Sequence, residues 1–179
     1  MQDSKPMKVP IPVGVRLSAE QCPKTQEEEE DMSHVPYPSA VGSLMHAMVC
    51  TRPDIAHAMG VLRRFMSKLG KDHWTTVKRV FRYLHGTSDY GLCYQGRLGL
   101  DKVLDIHGFV DVDWAGDLDQ RRYTSGYVFT LFGGAVIWMS NKESIVALST
   151  VEAKYMETTH AIFLAKKIPY HSKTKHIDV

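Results

Sequence analysis

The hydrophobic pattern of the chain changes its period near residue 90, and this change constrains the fold more than any other feature. Before it, apolar residues recur every three or four positions, as on one face of an α-helix. After it, short apolar runs are separated by glycines and charged residues, as in β-strands. Helices followed by several strands and a further helix predict an α+β protein.

The segment from residue 36 to residue 87 predicts three helices that bury one another. The first is centred on residues 39–49 and has a serine near its start. The second begins at Arg52–Asp54, where proline suits the first turn and aspartate suits the positive end of the helix. Gly86 ends the third. Its predicted apolar stripe consists of Trp74, Val77, Phe81 and Leu84.

Charge is distributed unevenly along this half of the chain. Residues 1–31 hold 4 basic and 7 acidic side chains (4 − 7 = −3), including the run Glu27–Glu30. Residues 52–89 hold 8 basic and 3 acidic side chains (8 − 3 = +5). Because residues 1–35 also lack a sustained hydrophobic period, we expect them to form an acidic extended arm.

The segment from residue 90 onward predicts strands at about residues 90–94, 105–111, 125–132 and 135–140. A turn is expected at Gly133–Gly134. Ser149 followed by Glu152 three residues later matches a capping box, which predicts that a helix begins there.

Carboxylates at the end of the second strand and at the start of this helix are candidate metal ligands. Asp111 and Asp113 alternate to the same side of a strand, and Glu152 lies in the first helical turn. Such oxygens are the ligands that Mg²⁺ prefers, and two ions held this way can cleave a phosphodiester bond. Acidic residues also occur at these places simply as turn and capping residues, so the spacing alone decides nothing.

Other site classes have little support. Cys22, Cys50 and Cys93 do not match a zinc-ligand or redox spacing, and we interpret them as idle thiols. His171 and His176 lack further ligands nearby in the sequence. No apolar stretch approaches the roughly 20 residues of a membrane span, and no signal-peptide core precedes Pro10. An intracellular location, cytoplasmic or nuclear, is therefore expected by default.

Several segments, in order along the chain, resemble the C-terminal part of copia-type retrotransposon Pol polyproteins. Residues 35–56, His73–Trp74 and residues 82–87 resemble the end of the reverse transcriptase, beyond the polymerase palm. Residues 108–117, 124–129 and 147–155 resemble that family's ribonuclease H domain. The resemblance implies a helical reverse-transcriptase remnant over residues 36–87 and a truncated ribonuclease H-like domain, with a mixed sheet and a helix, over residues 90–179.

The resemblance also assigns the carboxylates. Asp111 and Glu152 match the first two Mg²⁺-binding, catalytic positions of the ribonuclease H family, and Asp113 falls just after the first. The third acid is missing, because His160 leads directly into a segment resembling the helix that follows it. The chain stops before the fourth acid, and Asp178 lies in a different motif. Lys154 replaces a usual glutamate, Tyr123 replaces a usual serine, and the polymerase motif is absent.

These departures predict a sheet that lacks an inner strand, leaves an edge unpaired and is marginally stable. They also predict weak or no hydrolysis of RNA–DNA hybrids, since two carboxylates hold two Mg²⁺ ions poorly.

Binding to a hybrid or other nucleic acid is a second possible function, because basic residues cluster on the helices. The alternative for these residues is a solvated helix face. They are Arg63, Arg64, Lys78, Arg79 and Arg82.

Two further interpretations stay open. Arg82–His85 differs by one residue from the Arg-x-Leu-Arg host-entry motif of secreted oomycete effectors, although the acidic run precedes it here. A non-enzymatic effector, secreted into a host, is therefore an alternative. The other interpretation is that the open reading frame is a relic without selected function. The sequence gives no indication of oligomeric state.

Overall fold

A computed structural model describes residues 4–95, 106–113, 119, 124–142, 159 and 175–178. The chain divides into two compact units, Met1–Gly91 and Leu92–Val179. The first unit is helical and the second contains a β-sheet, so the protein has the mixed α and β content that the sequence predicted.

Four α-helices and three short 3-10 turns form the first unit. The predicted three-helix core is confirmed, although its second helix is split into α3 and two flanking 3-10 turns. Tyr37 in the core donates a hydrogen bond of 2.9 Å to the Leu62 carbonyl, and burial raises the pKa of its hydroxyl. The helices are α1 (Gln26–Ser33), α2 (Tyr37–Cys50), α3 (Ala56–Leu62) and α4 (Lys71–Gly86), and the 3-10 turns are Ala19–Gln21, Pro53–Ile55 and Arg63–Phe65.

Residues 4–35 differ from the extended arm that the sequence predicted for residues 1–35. Their glutamate run lies in helix α1, which begins where the Thr25 hydroxyl accepts a hydrogen bond from the Glu28 N–H at 3.3 Å. Carboxylates in a first turn face the positive end of the helix, so the acidic run favours this helix. A backbone hydrogen bond from Lys24 also lowers the pKa of Glu28. Leu17 and Met32 are buried, which anchors the segment to the first unit.

The buried face of α4 is rotated from the predicted stripe. Val77 and Val80 are fully buried, whereas Trp74, Phe81 and Leu84 are only partly buried against the core. The buried face of α4 also includes the polar side chains of His73 and Thr76. The buried α4 residues are His73, Thr76, Val77, Val80 and Tyr83.

His73 is buried because both of its ring nitrogens have partners. Its Nδ1 accepts a hydrogen bond from the Gly70 N–H at 2.8 Å, so Nε2 carries the proton and donates to the Ser18 carbonyl at 3.2 Å. Its ring stacks on Phe65 with 3.9 Å between centroids. Gly70 also approaches the Gln21 backbone so closely that a Cβ there would overlap the Gln21 carbonyl group. His73 thus ties α4 to the segment before α1.

The second unit contains a four-stranded mixed sheet in the order β3-β2-β1-β4. Strand β1 (Ile106–Asp113) pairs antiparallel with β2 (Thr124–Leu131), which pairs antiparallel with β3 (Gly134–Lys142). Ile106 and Phe129 are buried on one face, with Val110, Tyr127 and Leu131 packed beside them. These three strands confirm three of the four predicted ones.

Two local predictions in this unit were wrong. The turn between β2 and β3 is at Phe132–Gly133, where both residues have positive φ (52° and 81°), and Gly134 already belongs to β3. The strand predicted at residues 90–94 is not formed, and residues 90–95 belong to neither a helix nor a strand. They contact the hairpin instead, since the Tyr94 hydroxyl donates to the Ala135 carbonyl at 2.8 Å and the Gln95 N–H to Phe132 at 2.9 Å.

The free edge of β1, on the side away from β2, is half covered. Strand β4 (Lys175–Asp178) runs parallel to β1 and pairs with its residues Ile106–Phe109. Within the part of the chain that the structure describes, no strand pairs with residues 110–113 on that side. The predicted helix after Ser149 lies outside the described residues.

Candidate metal and nucleic-acid sites

Asp111 lies in the second half of β1, on an exposed part of the sheet. Its strand partner is Gly126, which in turn pairs with Ser140 of β3. The alternation of a strand places Phe109 on the same face. Phe109 is 44% exposed, so the carboxylate of Asp111 has an aromatic neighbour on an open surface. Asp111 is itself exposed, which leaves it accessible to a cation or to a nucleic acid.

The structure describes one of the two predicted metal ligands, Asp111. Glu152 lies outside the described residues, so its proximity to Asp111 stays a prediction. The backbone of Asp113 pairs with Thr124 at the end of the β1–β2 ladder. Asp178, which the sequence excluded as the fourth acid, pairs by its backbone with Phe109, two positions before Asp111. Across the described ranges, no three His, Cys, Asp or Glu residues are grouped as a metal site.

The predicted basic residues fall on two elements of the first unit. Lys78, Arg79 and Arg82 lie on α4, and Arg63 and Arg64 on the 3-10 turn after α3. Lys78 and Arg63 are exposed, whereas the other three are partly buried. Arg64 donates from Nε to the Val61 carbonyl at 3.3 Å, and Arg82 from Nε to the Lys5 carbonyl at 2.6 Å. The α4 residues therefore combine accessible charge with a fixed position.

Lys71 extends the basic surface and was missed as a site residue. It precedes Lys78 by seven residues and Arg82 by eleven, so all three lie on one side of α4, opposite Val80. That spacing was readable from the sequence. We call the surface of Lys71, Lys78, Arg79 and Arg82 the basic face of α4. Trp74 flanks it, with Lys78 Nζ 6.0 Å from its ring centroid.

The acidic helix α1 pairs with the start of α4. Lys71 Nζ lies 3.1 Å from Asp31 Oδ2, and Lys68 Nζ lies 3.6 Å from Glu29 Oε1. All four side chains are more than half exposed, so each pair contributes little to stability, at most about 1 kcal/mol. The pairs nevertheless neutralise charge at one end of the basic face. Among the described residues, no acidic side chain forms an ion pair with Lys78, Arg79 or Arg82.

A buried polar network centred on Arg52 was not anticipated. Arg52 donates to both Asp54 carboxylate oxygens and to the carbonyl and hydroxyl of Thr87, at 2.6–3.3 Å. The Tyr83 hydroxyl donates to Asp54 Oδ2 at 2.7 Å. Burial tends to raise the pKa of Asp54, but the hydrogen bonds from Arg52 and Tyr83 outweigh it and lower that pKa. The network joins the start of α3 to the end of α4.

Comparison with known proteins identifies the family to which the chain belongs. All of it aligns at 44% identity with the retrovirus-related Pol polyprotein from transposon TNT 1-94 of Nicotiana tabacum. The Pol polyprotein from transposon RE2 of Arabidopsis thaliana is 35% identical over 87% of the chain. The chain belongs to the copia-type Pol family. This Pol fragment spans 15% of the tobacco polyprotein and 10% of RE2.

The tobacco alignment covers 209 positions, whereas the Pol fragment has 179 residues, a difference of 209 − 179 = 30. The relative therefore contains residues that the Pol fragment lacks, as the predicted deletion requires. No family model matches the chain, and no solved structure does either.

A further relative is not named as a Pol polyprotein. Over 73% of the Pol fragment, identity reaches 51% with secreted RxLR effector protein 161 of Plasmopara viticola, and the match covers 89% of that protein. In the Pol fragment, the near-match Arg82–His85 forms part of α4, where Tyr83 is buried and hydrogen-bonded to Asp54. Among the described helices, none is long and apolar enough to cross a membrane.

Proposed function

We propose that this Pol fragment binds nucleic acid through the basic face of α4 and has little or no ribonuclease H activity. The observation that carries the proposal is the position of Lys78 and Arg82 on the side of α4 opposite the buried Val80, with Arg79 flanking them. Such a surface attracts phosphates irrespective of base sequence. The family relationship makes RNA–DNA hybrids and DNA duplexes the expected ligands, in an expected intracellular location.

The second unit is proposed to be an incomplete ribonuclease H-like domain. Its mixed sheet, in which antiparallel strands β3-β2-β1 are extended by a parallel β4, supports this assignment. So does the position of Asp111 near the end of the central ladder. The tobacco alignment contains 30 positions (209 − 179) that the Pol fragment lacks, which is in line with an internal deletion.

The donors that the structure describes do not fit a pair of Mg²⁺ ions. Mg²⁺ requires near-octahedral oxygen coordination, and two-metal catalysis requires several carboxylates around both ions. Asp111 is an exposed carboxylate outside any group of three potential ligands in the described ranges. Even with Glu152 added, two acids leave most of the coordination to water. We therefore assign no step of hydrolysis to these residues.

Salt dependence tests the proposed binding. We expect the Pol fragment to bind a labelled RNA–DNA hybrid and a DNA duplex of unrelated sequence with similar affinity. The logarithm of the binding constant should fall linearly with the logarithm of salt concentration, with a slope of about −0.9 per phosphate contacted, or roughly −3 for three contacts. Fluorescence anisotropy between 50 and 200 mM salt measures this slope. An affinity that does not change with salt would contradict the electrostatic mechanism.

A non-enzymatic effector role is the second candidate, favoured by the 51% identity to the protein named RxLR effector 161. The position of Arg82–His85 within α4 counts against its use as an accessible linear motif. Sequencing the native transcript separates the candidates, since an upstream signal peptide would support secretion and its absence would support the Pol remnant. A relic without selected function would show neither nucleic-acid binding nor secretion.

A further inference from the structure

Helix α1 is attached to the helical unit by little buried surface. Met32 is the only buried residue of this helix, and every other residue of α1 is exposed. Two clefts of about 310 and 350 Å³ lie between α1 and residues 67–72, and Met32 lines both of them. A helix that buries so little apolar surface and has open space beside it can move away at a small cost in free energy. The packing of α1 therefore permits its displacement.

Electrostatic contacts close α1 onto the segment that leads into α4. Asp31 Oδ2 lies 3.1 Å from Lys71 Nζ, and Glu29 Oε1 lies 3.6 Å from Lys68 Nζ. A carboxylate beside an ammonium group occupies the position that a phosphate oxygen would take, because both are anionic acceptors for the same N–H donors. In the observed conformation, α1 therefore covers both lysines with groups that resemble phosphates in charge.

Lys71 is within reach of a nucleic acid that contacts the basic face of α4. It lies seven residues before Lys78 on the same side of the helix, which corresponds to about 10 Å along the helix axis. Phosphates of one duplex strand follow one another about every 3.4 Å along the duplex axis, so about three of them span this distance. Release of Lys71, and of Lys68 three residues earlier, would add contacts at this end of the surface.

We propose that α1 is an acidic strap that covers Lys68 and Lys71 and is displaced when nucleic acid binds the basic face of α4. The inference rests on the proposed nucleic-acid binding and adds its regulation, since phosphates and the strap compete for the same two ammonium groups. Because the strap is tethered, its carboxylates are always present at the lysines, and a competing ligand must offer several phosphates together. A continuous duplex backbone does so, whereas free inorganic phosphate does not.

Two matched variants of α1 test the strap. Glu29→Gln, Asp31→Asn removes the acids of both ion pairs, whereas Glu27→Gln, Glu30→Gln removes the same charge from α1 and leaves both pairs in place. Each variant changes one acid in the first turn of α1 and one acid beyond it, so the effects on the helix itself are matched. Circular dichroism of the full chain checks that both variants keep the helical content of the wild type.

Neutralising the paired acids is expected to increase the affinity for a labelled RNA–DNA hybrid about tenfold at 0.1 M salt. The salt slope should become steeper by up to about 2, because each released lysine adds one phosphate contact. The Glu27→Gln, Glu30→Gln control should change the affinity by less than about twofold, since charges that do not contact the ligand are largely screened. In a Lys68→Gln, Lys71→Gln background, neutralising the paired acids should have no effect, because the two changes act on the same contacts.

Fluorescence anisotropy titrations of these variants separate the strap from the binding that it regulates. Equal gains in the two α1 variants, or a gain that persists without Lys68 and Lys71, would overturn the strap and indicate an effect of net charge alone. Normal wild-type binding with no gain from Glu29→Gln, Asp31→Asn would also overturn the strap and leave the proposed function intact. Absence of binding in both the wild type and this variant would overturn the proposed function and the strap with it.

Discussion

Replacing Arg52 with alanine is expected to destabilise the helical unit by about 3 kcal/mol, near the lower end of the cost of breaking a buried ion pair. The lower end applies because the Arg52 side chain is 10% exposed but that of Asp54 is 32% exposed. The substitution removes the charged partner of the Asp54 carboxylate, which keeps only the hydrogen bond from Tyr83, and leaves the Thr87 carbonyl and hydroxyl without their donor. Truncation also removes the guanidinium from above the rings of Tyr83 and Tyr90.

Chemical denaturation of the full chain, followed by far-ultraviolet circular dichroism, measures this loss. Arg52→Lys should recover little of it, because an ammonium group cannot make the same forked contact with Asp54 and Thr87. Arg64→Ala is the matched control, since Arg64 is only partly buried, and it should cost less than about 1 kcal/mol. A cost for Arg52→Ala no larger than that of Arg64→Ala would show that the network is not stabilising.

The same network predicts how the effect depends on pH. The folded-state pKa of Asp54 is lower than its unfolded value of about 3.8, so its contribution is present above that pH. It is lost as the pH falls through the folded-state pKa. The difference in stability between the wild type and Arg52→Ala should therefore be constant near neutral pH and shrink below about pH 4.

Neutralising the basic face of α4 is expected to remove most of the nucleic-acid affinity. The triple variant Lys78→Gln, Arg79→Gln, Arg82→Gln should bind a DNA duplex roughly 100-fold more weakly at 0.1 M salt. Each lost phosphate contact should also reduce the magnitude of the salt slope by about 1. Anisotropy titrations at several salt concentrations measure both quantities.

A second triple variant controls for net charge alone. Lys8→Gln, Arg16→Gln, Lys24→Gln removes the same three charges from exposed positions outside α4. It should weaken binding by less than about threefold, since charges that do not contact phosphates are largely screened. Equal losses in the two triple variants would indicate attraction by total charge and would exclude a specific basic face.

Sequence patterns predicted the helices and strands better than they predicted which side chains of these elements are buried. The end of α4 at Gly86 and the strands β1 to β3 were readable from periodicity and glycine. The buried face of α4 was not, because it includes His73 and Thr76. A hydrophobic pattern counts such residues as exposed, whereas here the Thr76 hydroxyl donates to the Asp72 carbonyl and His73 bridges Gly70 and Ser18.

The sites were also hard to predict from the sequence, because their side chains bind residues that lie far away along the chain. The Arg52 network joins residues 35 positions apart along the chain, and no local pattern indicates that Thr87 would accept from Arg52. Helix α1 was missed because residues 1–35 lack a sustained hydrophobic period, whereas Thr25 and the helix dipole stabilise the helix. In contrast, the placement of Lys78, Arg79 and Arg82 on α4 followed from the predicted helix. The resemblance to copia-type Pol polyproteins was confirmed by the relatives.

Hydrolysis of a labelled RNA–DNA hybrid most directly tests the central claim that nucleic-acid binding has outlasted the nuclease chemistry. The Pol fragment and its Asp111→Asn variant would be compared with Mg²⁺ or Mn²⁺, at protein concentrations that saturate the hybrid. We expect both proteins to bind the hybrid and neither to cleave it above the rate without protein. Metal-dependent cleavage by the wild type that Asp111→Asn abolishes would contradict this account.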